Sequence, residues 1–142
     1  MAEVLYTHSR FEVSFDEARR LVHARWHGVV DKPTLETYFP VVQPLLEQHR
    51  QVNYFNDFTE LDDFTMGARW MGAQRTREQR PFILKSALCG SGRMERWMFH
   101  QFIRITGRDD VRMFESADEA LAWLFPDEAA HHRAAMLQHA TT

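Results

Sequence analysis

Val111-Arg112-Met113-Phe114-Glu115-Ser116-Ala117-Asp118-Glu119-Ala120-Leu121-Ala122-Trp123-Leu124-Phe125-Pro126 holds a strand, a cap and a helix in one short run. Val111 to Phe114 suits a brief strand. Ser116 and Glu119 stand three apart, the spacing at which a hydroxyl takes the N–H of the third helical residue and the carboxylate reaches back to the cap. Ala120, Leu121 and Leu124 then carry the helix, and Pro126, with no N–H to donate, stops it near Phe125. A strand that hands its chain directly to a capped helix is the closing unit of an alternating β/α sequence.

The residues upstream repeat that unit. Residues 82–89 read as a strand, turned by Gly90-Ser91-Gly92 into a long helix over about 93–106, where Met94, Trp97, Met98, Gln101, Phe102 and Ile105 share a face. Residues 51–58 read as a central strand, because Val52, Tyr54, Phe55 and Phe58 supply apolar groups to both faces. An acidic turn at 60–63 leads to a helix over about 65–77, which Gly67 and Gly72 weaken by up to about 1 kcal/mol each unless close packing needs them. Ahead of these, Leu35, Tyr38, Phe39, Val42, Leu45, Leu46 and His49 form the stripe of a helix over about 32–49, with Asp31 as N-cap and Pro33 in its first turn. Pro40 and Pro44 project away from that stripe, so the helix continues through them.

Phe11, Val13 and Phe15 alternate with polar neighbours. So do Val22, Ala24 and Trp26 against His23, Arg25 and His27, which makes residues 11–15 and 20–30 a β-hairpin. The expected order is ββαβαβαβα: an α/β domain with a mixed β-sheet, an N-terminal hairpin, and then parallel strands with right-handed helix crossovers. The chain is read as a single domain over 1–142, with its core at about 11–125 and a peripheral helix or tail at 127–142.

Composition narrows the function classes. The chain has 142 residues, 44% of them hydrophobic and 26% charged, enough to bury one core without disulfides or metal. A net charge of −3 with both signs intermixed gives no basic stripe for nucleic acid. The run Arg69, Arg75, Arg77 and Arg80, interrupted by Glu78, is read as a solvated helix end. Residues 1–10 lack the apolar core of a signal peptide, and no run approaches the ~20 apolar residues of a membrane span. With one cysteine, Cys89, no internal disulfide is available. These features point to a cytoplasmic protein without membrane insertion. The surplus of rings, 11 Phe, 4 Trp and 3 Tyr, points to a subunit interface, and a homodimer is expected.

Order and length together resemble the STAS fold of the SpoIIAA-like, anti-sigma-factor-antagonist family. The resemblance rests on Trp26, Gly28 and Val29, Leu35 and Tyr38, Pro44-Leu45-Leu46-Glu47, and above all on the run from Val111 to Leu124. It covers about residues 11–125. The family is similar in fold to CRAL-TRIO lipid-binding domains, so the resemblance implies either protein–protein regulation or binding of an apolar ligand. Sporulation-type members carry a phosphorylated serine in an Asp-Ser-Ser-Gly stretch at the start of the second helix. Here that stretch is Phe64-Thr65-Met66-Gly67, with Met66 at the serine position and Thr65 occupied as a helix cap.

Candidate sites emerge from the topology. Ligands of open α/β sheets gather beyond the carboxyl ends of parallel strands. Asn56, Asp57, Thr59 and Asp62, the turn containing Ser91, and Glu115 with Ser116 are expected to meet there. Their carboxylates suit a divalent ion or acid–base work, and the plainer assignment is caps and turns. Cys89 has neither Cys-x5-Arg nor Cys-x4-Arg spacing, since Glu95 and Met94 fill those positions, so it reads as a structural cysteine. The 8 histidines form no metal pattern, because Arg25 stands between His23 and His27. Met66, Trp70, Met71, Trp97, Met98 and Phe102 are core or the walls of a cleft. The expected function is a non-enzymatic regulatory or protein-interaction module without cofactor or metal. The alternative is a carrier or sensor of a small apolar or amphipathic ligand held between sheet and helices.

Overall fold

Alternation along β2 (Phe11–Asp16) turns Phe11, Val13 and Phe15 to one side, and β3 (Leu21–Val30) answers across the antiparallel ladder with Trp26, Ala24 and Val22. The computed structural model describes residues 2–90, 104 and 110–140. On the outer side of β2 lies β1 (Ala2–Thr7), paired antiparallel, with a bulge at Leu5 where Val4 faces Ser14 and Tyr6 faces Val13. This strand occupies residues in which no element is expected from composition. On the inner side β4 (Val52–Phe64), β5 (Ile83–Cys89) and β6 (Val111–Phe114) come next, each parallel to the one before. The six strands lie in the sheet in the order in which they occur in the chain.

The helices are α1 (Lys32–His49), α2 (Met66–Gln79), α3 (Ala117–Leu124) and α4 (Pro126–Ala140), with a 3-10 turn at Arg80–Phe82 before β5. The helix expected over 93–106 falls outside the described residues. Local chemistry sets the helix ends. The Asp31 carboxylate accepts the Thr34 hydroxyl at 2.6 Å and the Thr34 N–H at 2.9 Å, and these two bonds hold its pKa below the ordinary value. Thr65 accepts the Ala68 N–H at 3.3 Å, and Ser116 accepts that of Glu119 at 3.2 Å. Pro40 and Pro44 sit exposed on an unbroken α1, as their position opposite the stripe requires. Pro126 stops α3 and is the first residue of α4.

One expectation is corrected. Residues 60–63 form no acidic turn; they lie inside β4, which continues to Phe64. Two register shifts against β3 insert extra residues into β4: Arg25 and His27 face Asp57 and Glu60, and Gly28 and Val29 face Leu61 and Asp63. Each bulge turns the two-residue period into three, so Phe58, Leu61 and Phe64 reach the same side while the acids between them point elsewhere.

The sheet has two unlike faces. On the first, Phe11, Val13, Val22, Ala24, Trp26, Tyr54 and Leu88 pack under Leu35, Tyr38, Val42 and Leu46 of α1 and Ala68 of α2. Trp26 is the hub: its ring lies 4.4 Å from Tyr38 and 5.6 Å from Phe11, and its indole N–H donates to Asn56 Oδ1 at 3.1 Å. On the second face a smaller cluster, Leu21, Phe55, Ala87 and Cys89, is covered by Ala120 and Leu124 of α3. Leu46 is fully buried whereas Leu84 is 48% exposed. Leu46→Ala should therefore cost about 2–5 kcal/mol in urea denaturation, and Leu84→Ala no more than about 0.5 kcal/mol.

Candidate functional site

A helix of the core normally buries a continuous stripe. By contrast α2 buries only Ala68 and Gln79, with Met71 half-buried against the main cluster. Its outward stripe starts with Met66 and Trp70, one turn apart and 64% and 74% exposed, and continues through Ala73 to Arg77. Between α1 and α2 lies an open groove of about 780 Å³, with Gly67, Trp70 and Met71 as its apolar surface and Lys32, Glu36, Arg75 and Arg77 as its charged rim.

The two glycines of α2 belong to this groove. A side-chain carbon built on Gly72 would meet Leu35 Cδ1 at 3.9 Å, and one on Gly67 would meet Lys32 Cβ at 3.5 Å. Both are ordinary contact distances, so close helix packing does not require glycine at either position. The effect of the glycines is to leave backbone and space accessible beside Trp70. Electrostatically the rim is basic. Arg75 pairs with Glu78 and Arg69 with Asp63, each at 3.0 Å. Among the described residues Lys32 and Arg77 have no ion-pair partner. An apolar anchor beside a rim in which Lys32, Arg75 and Arg77 outnumber Glu36 suits a partner surface that is apolar and acidic.

Of the residues singled out from sequence, Met66, Trp70 and Met71 come together on α2. Asn56, Asp57 and Thr59 lie within β4 rather than beyond its end. Asn56 satisfies the Trp26 indole, and Asp57 Oδ1 accepts the Thr59 N–H at 3.0 Å and its hydroxyl at 2.7 Å. Ser91, Trp97, Met98 and Phe102 fall outside the described residues. Sequence reasoning does not single out Lys32, Glu36, Arg75, Arg77 and Gly67 as a set. Their one signal is a bulky indole, with Met66 and Met71, on a helix otherwise made of polar and small residues.

On the second face the ladders place Glu12 opposite Arg25, Arg25 opposite Asp57, and Asp57 opposite Cys89. Alternating charge across neighbouring strands stabilises a solvated sheet face. His27 Nδ1 adds a contact to Glu60 at 2.6 Å. Cys89 is 0% exposed, and burial, followed by the charges of Asp57 and Glu119, pushes its thiol up to about 11, so it is protonated and inert at neutral pH. Among the described residues no group of His, Cys, Asp and Glu could hold a metal ion. No helix among them is long and apolar enough to cross a membrane.

The SpoIIAA-like family model matches residues 21–125. The chain belongs to the SpoIIAA-like family. Among solved structures it is similar to an uncharacterized protein of the DUF3478 family with a SpoIIAA-like fold from Shewanella loihica PV-4. That likeness has a TM-score of 0.63 and 17% identity, over 87% of this chain and 92% of that one. It is also similar to the anti-sigma factor antagonist SpoIIAA in its unphosphorylated form, with a TM-score of 0.54 and 16% identity over 84% and 92% of the two chains. Such identities establish a shared fold. A comparison with curated protein sequences finds no match.

Gly72→Ala should raise stability by up to about 1 kcal/mol in urea denaturation, because the methyl group meets only ordinary contacts. A pH dependence is expected from His23, whose Nε2 is buried without a hydrogen-bond partner among the described residues and whose ring meets Phe55 edge-on at 4.8 Å. Burial lowers its pKa and the Arg25 charge adds to this, while Asp57 and Glu12 oppose it; the net shift is downward. Below the ordinary histidine pKa of about 6.5 the unfolded chain therefore binds a proton that the fold refuses. The stability due to neutral His23 is complete above that value and is lost as pH falls toward the lower folded pKa. Denaturation at a series of pH values should show His23→Phe with a shallower acid-side decline than the wild type.

Proposed function

We propose that the protein is a non-enzymatic, STAS-like regulatory module of the cytoplasm that acts by presenting the α2 face to a protein partner. The observation that carries this reading is Trp70, an indole 74% exposed, whereas the other large rings among the described residues are buried or half-buried apart from Tyr6. Tryptophan at the centre of an apolar patch with arginine nearby is the composition of interface hot spots. Met66, 64% exposed at the first position of α2, adds an apolar contact one turn away. By resemblance, that position carries the phosphorylated serine in sporulation-type relatives. Methionine there makes the contact permanent rather than switched by phosphate. The non-enzymatic part of the reading is supported by the buried, protonated Cys89 thiol and by the engagement of Asp57 with Thr59.

The groove supports a second reading, a small amphipathic ligand with an anionic end. Its apolar part would lie on Trp70 and Met71 and its charge beside Lys32 and Arg77.

The test is a photo-cross-linking residue placed at Trp70, or at Leu84 as an exposed control, in the full chain in its native cells. A discrete protein adduct should form from position 70 alone and disappear when Met66→Asp is added. Equal yields from both positions, or none from position 70, would sink the protein-partner reading. A mass excess in native mass spectrometry, lost in Trp70→Ala, would establish the small-ligand reading in its place.

A further inference from the structure

The sheet ends on one side in a strand that nothing among the described residues covers. All six residues of β1 are exposed, including Val4 at 55%, Leu5 at 43% and Tyr6 at 37%. β1 pairs with β2 alone, so its outer edge offers a row of backbone N–H and C=O groups to the solvent. That pattern of donors and acceptors is complementary to another extended strand. Natural edges are usually guarded by proline, lysine, inward-pointing charge, a bulge or a covering helix. Ala2-Glu3-Val4-Leu5-Tyr6-Thr7 has no proline or lysine, and its guards are the single charge of Glu3 and the bulge at Leu5. The opposite edge differs: β6 is four residues long and lies beside α3, with the Phe114 ring 5.6 Å from that of Trp123.

Every described strand already belongs to this sheet, so none among the described residues is left to serve as the covering strand. We propose that it is β1 of a second copy, paired antiparallel about a two-fold axis near Val4 and Leu5, so that two six-stranded sheets become one. The strand is complementary to itself. In that arrangement Glu3 faces Tyr6 and Val4 faces Leu5, so the one charged side chain of the strand never opposes its own copy. The Val4 and Leu5 side chains gain apolar neighbours, and the Tyr6 ring lies beside Glu3 of the other copy. Two-fold pairing is isologous and closes, so it consumes the exposed edge and leads to a dimer rather than a fibre. A six-residue strand covers less than the ~800 Å² per partner of a standard stable interface, so the dimer is reversible and depends on concentration. This inference rests on β1 alone and is independent of the function proposed for α2.

Sedimentation velocity on the full chain from about 5 to about 500 µM tests it. The wild type should pass from monomer to dimer across that range, and Leu5→Lys should weaken association about tenfold or more with an unchanged melting curve. Mixing Leu5→Lys with Leu5→Glu should restore pairing as a heterodimer, identified by its mass. Hydrogen exchange on the wild type, which needs no variant, should show amides of residues 2–7 gaining protection at high concentration. A monomer at every concentration overturns the proposal, and so does a dimer whose added protection lies elsewhere or that Leu5→Lys leaves intact.

Discussion

The parallel pairing of β3 with β4, from Leu21 opposite Asn53 to Val30 opposite Phe64, is the constraint on which the rest of the molecule depends. Parallel neighbours cannot be joined by a tight turn; the chain must return across a face of the sheet. Here α1 makes that return and brings Leu35, Tyr38, Val42 and Leu46 down on Trp26 and its neighbours. The strands then continue in chain order, so each crossover steps sideways in the same direction. Crossovers of one hand that step the same way fall on the same face, and α2 accordingly joins α1 over the first cluster. Of the described helices, α1 and α2 thus lie over the first cluster, and α3, beyond β6, takes the second face.

Beyond β6 the chain forms α3, which is short and reaches only part of the second face. Ala120 and Leu124 cover Phe55, Ala87 and Cys89, and the Trp123 ring receives Lys85 at 5.0 Å and Arg112 at 5.5 Å on its outer side. The β2–β3 turn is tied to the same layer through Arg19, which bonds Asp16 at 2.9 Å and lies 5.3 Å from the Phe125 ring. Outside this cover the second face is made of charges placed opposite one another, Glu12, Arg25 and Asp57 across three strands. A face so composed needs no helix over it. His23 marks the boundary between the two regimes: close enough to the covered cluster to resist protonation, yet flanked by charged neighbours.

The elements legible in the sequence are those where one period runs undisturbed and the ends carry their own chemistry. Phe11-Val13-Phe15, the stripe of α1 and the Ser116–Glu119 cap meet that description, and the structure has each of them at those residues. β4 beyond Phe58 is not legible, because two bulges change its period to three and leave acids between the inward residues, a pattern that looks like a turn. β1 escapes a sequence reading for a related reason. Val4, Leu5 and Tyr6 are consecutive apolar residues around a bulge, with no alternation to betray a strand. The α2 surface is half legible: the sequence names Met66, Trp70 and Met71, but the same spacing serves a core or a surface, and only the burial of neighbouring positions separates the two.

The distribution of burial explains why surface-bearing elements can be so lightly packed. The large buried side chains, Phe11, Phe55, Leu46 and the valines of β2, β3, α1 and β4, lie in the central strands and α1. Removing one of them leaves a cavity, so these elements tolerate little change. In α2, by contrast, only Ala68 and Gln79 are buried, and two glycines lower its intrinsic helicity without being needed for contact. Such a helix contributes little to holding the sheet together, and its sequence is correspondingly free to serve the solvent side. Exposed Trp70 and Met66 are therefore compatible with a stable fold because α1, with Ala68 and Met71 of α2, covers the core around Trp26. At the sheet edge, β1 carries exposed Val4 and Leu5 while its Tyr6 ring stacks on the buried Phe11 at 5.6 Å, so one side chain of the strand reaches the core and the others are left to the solvent side.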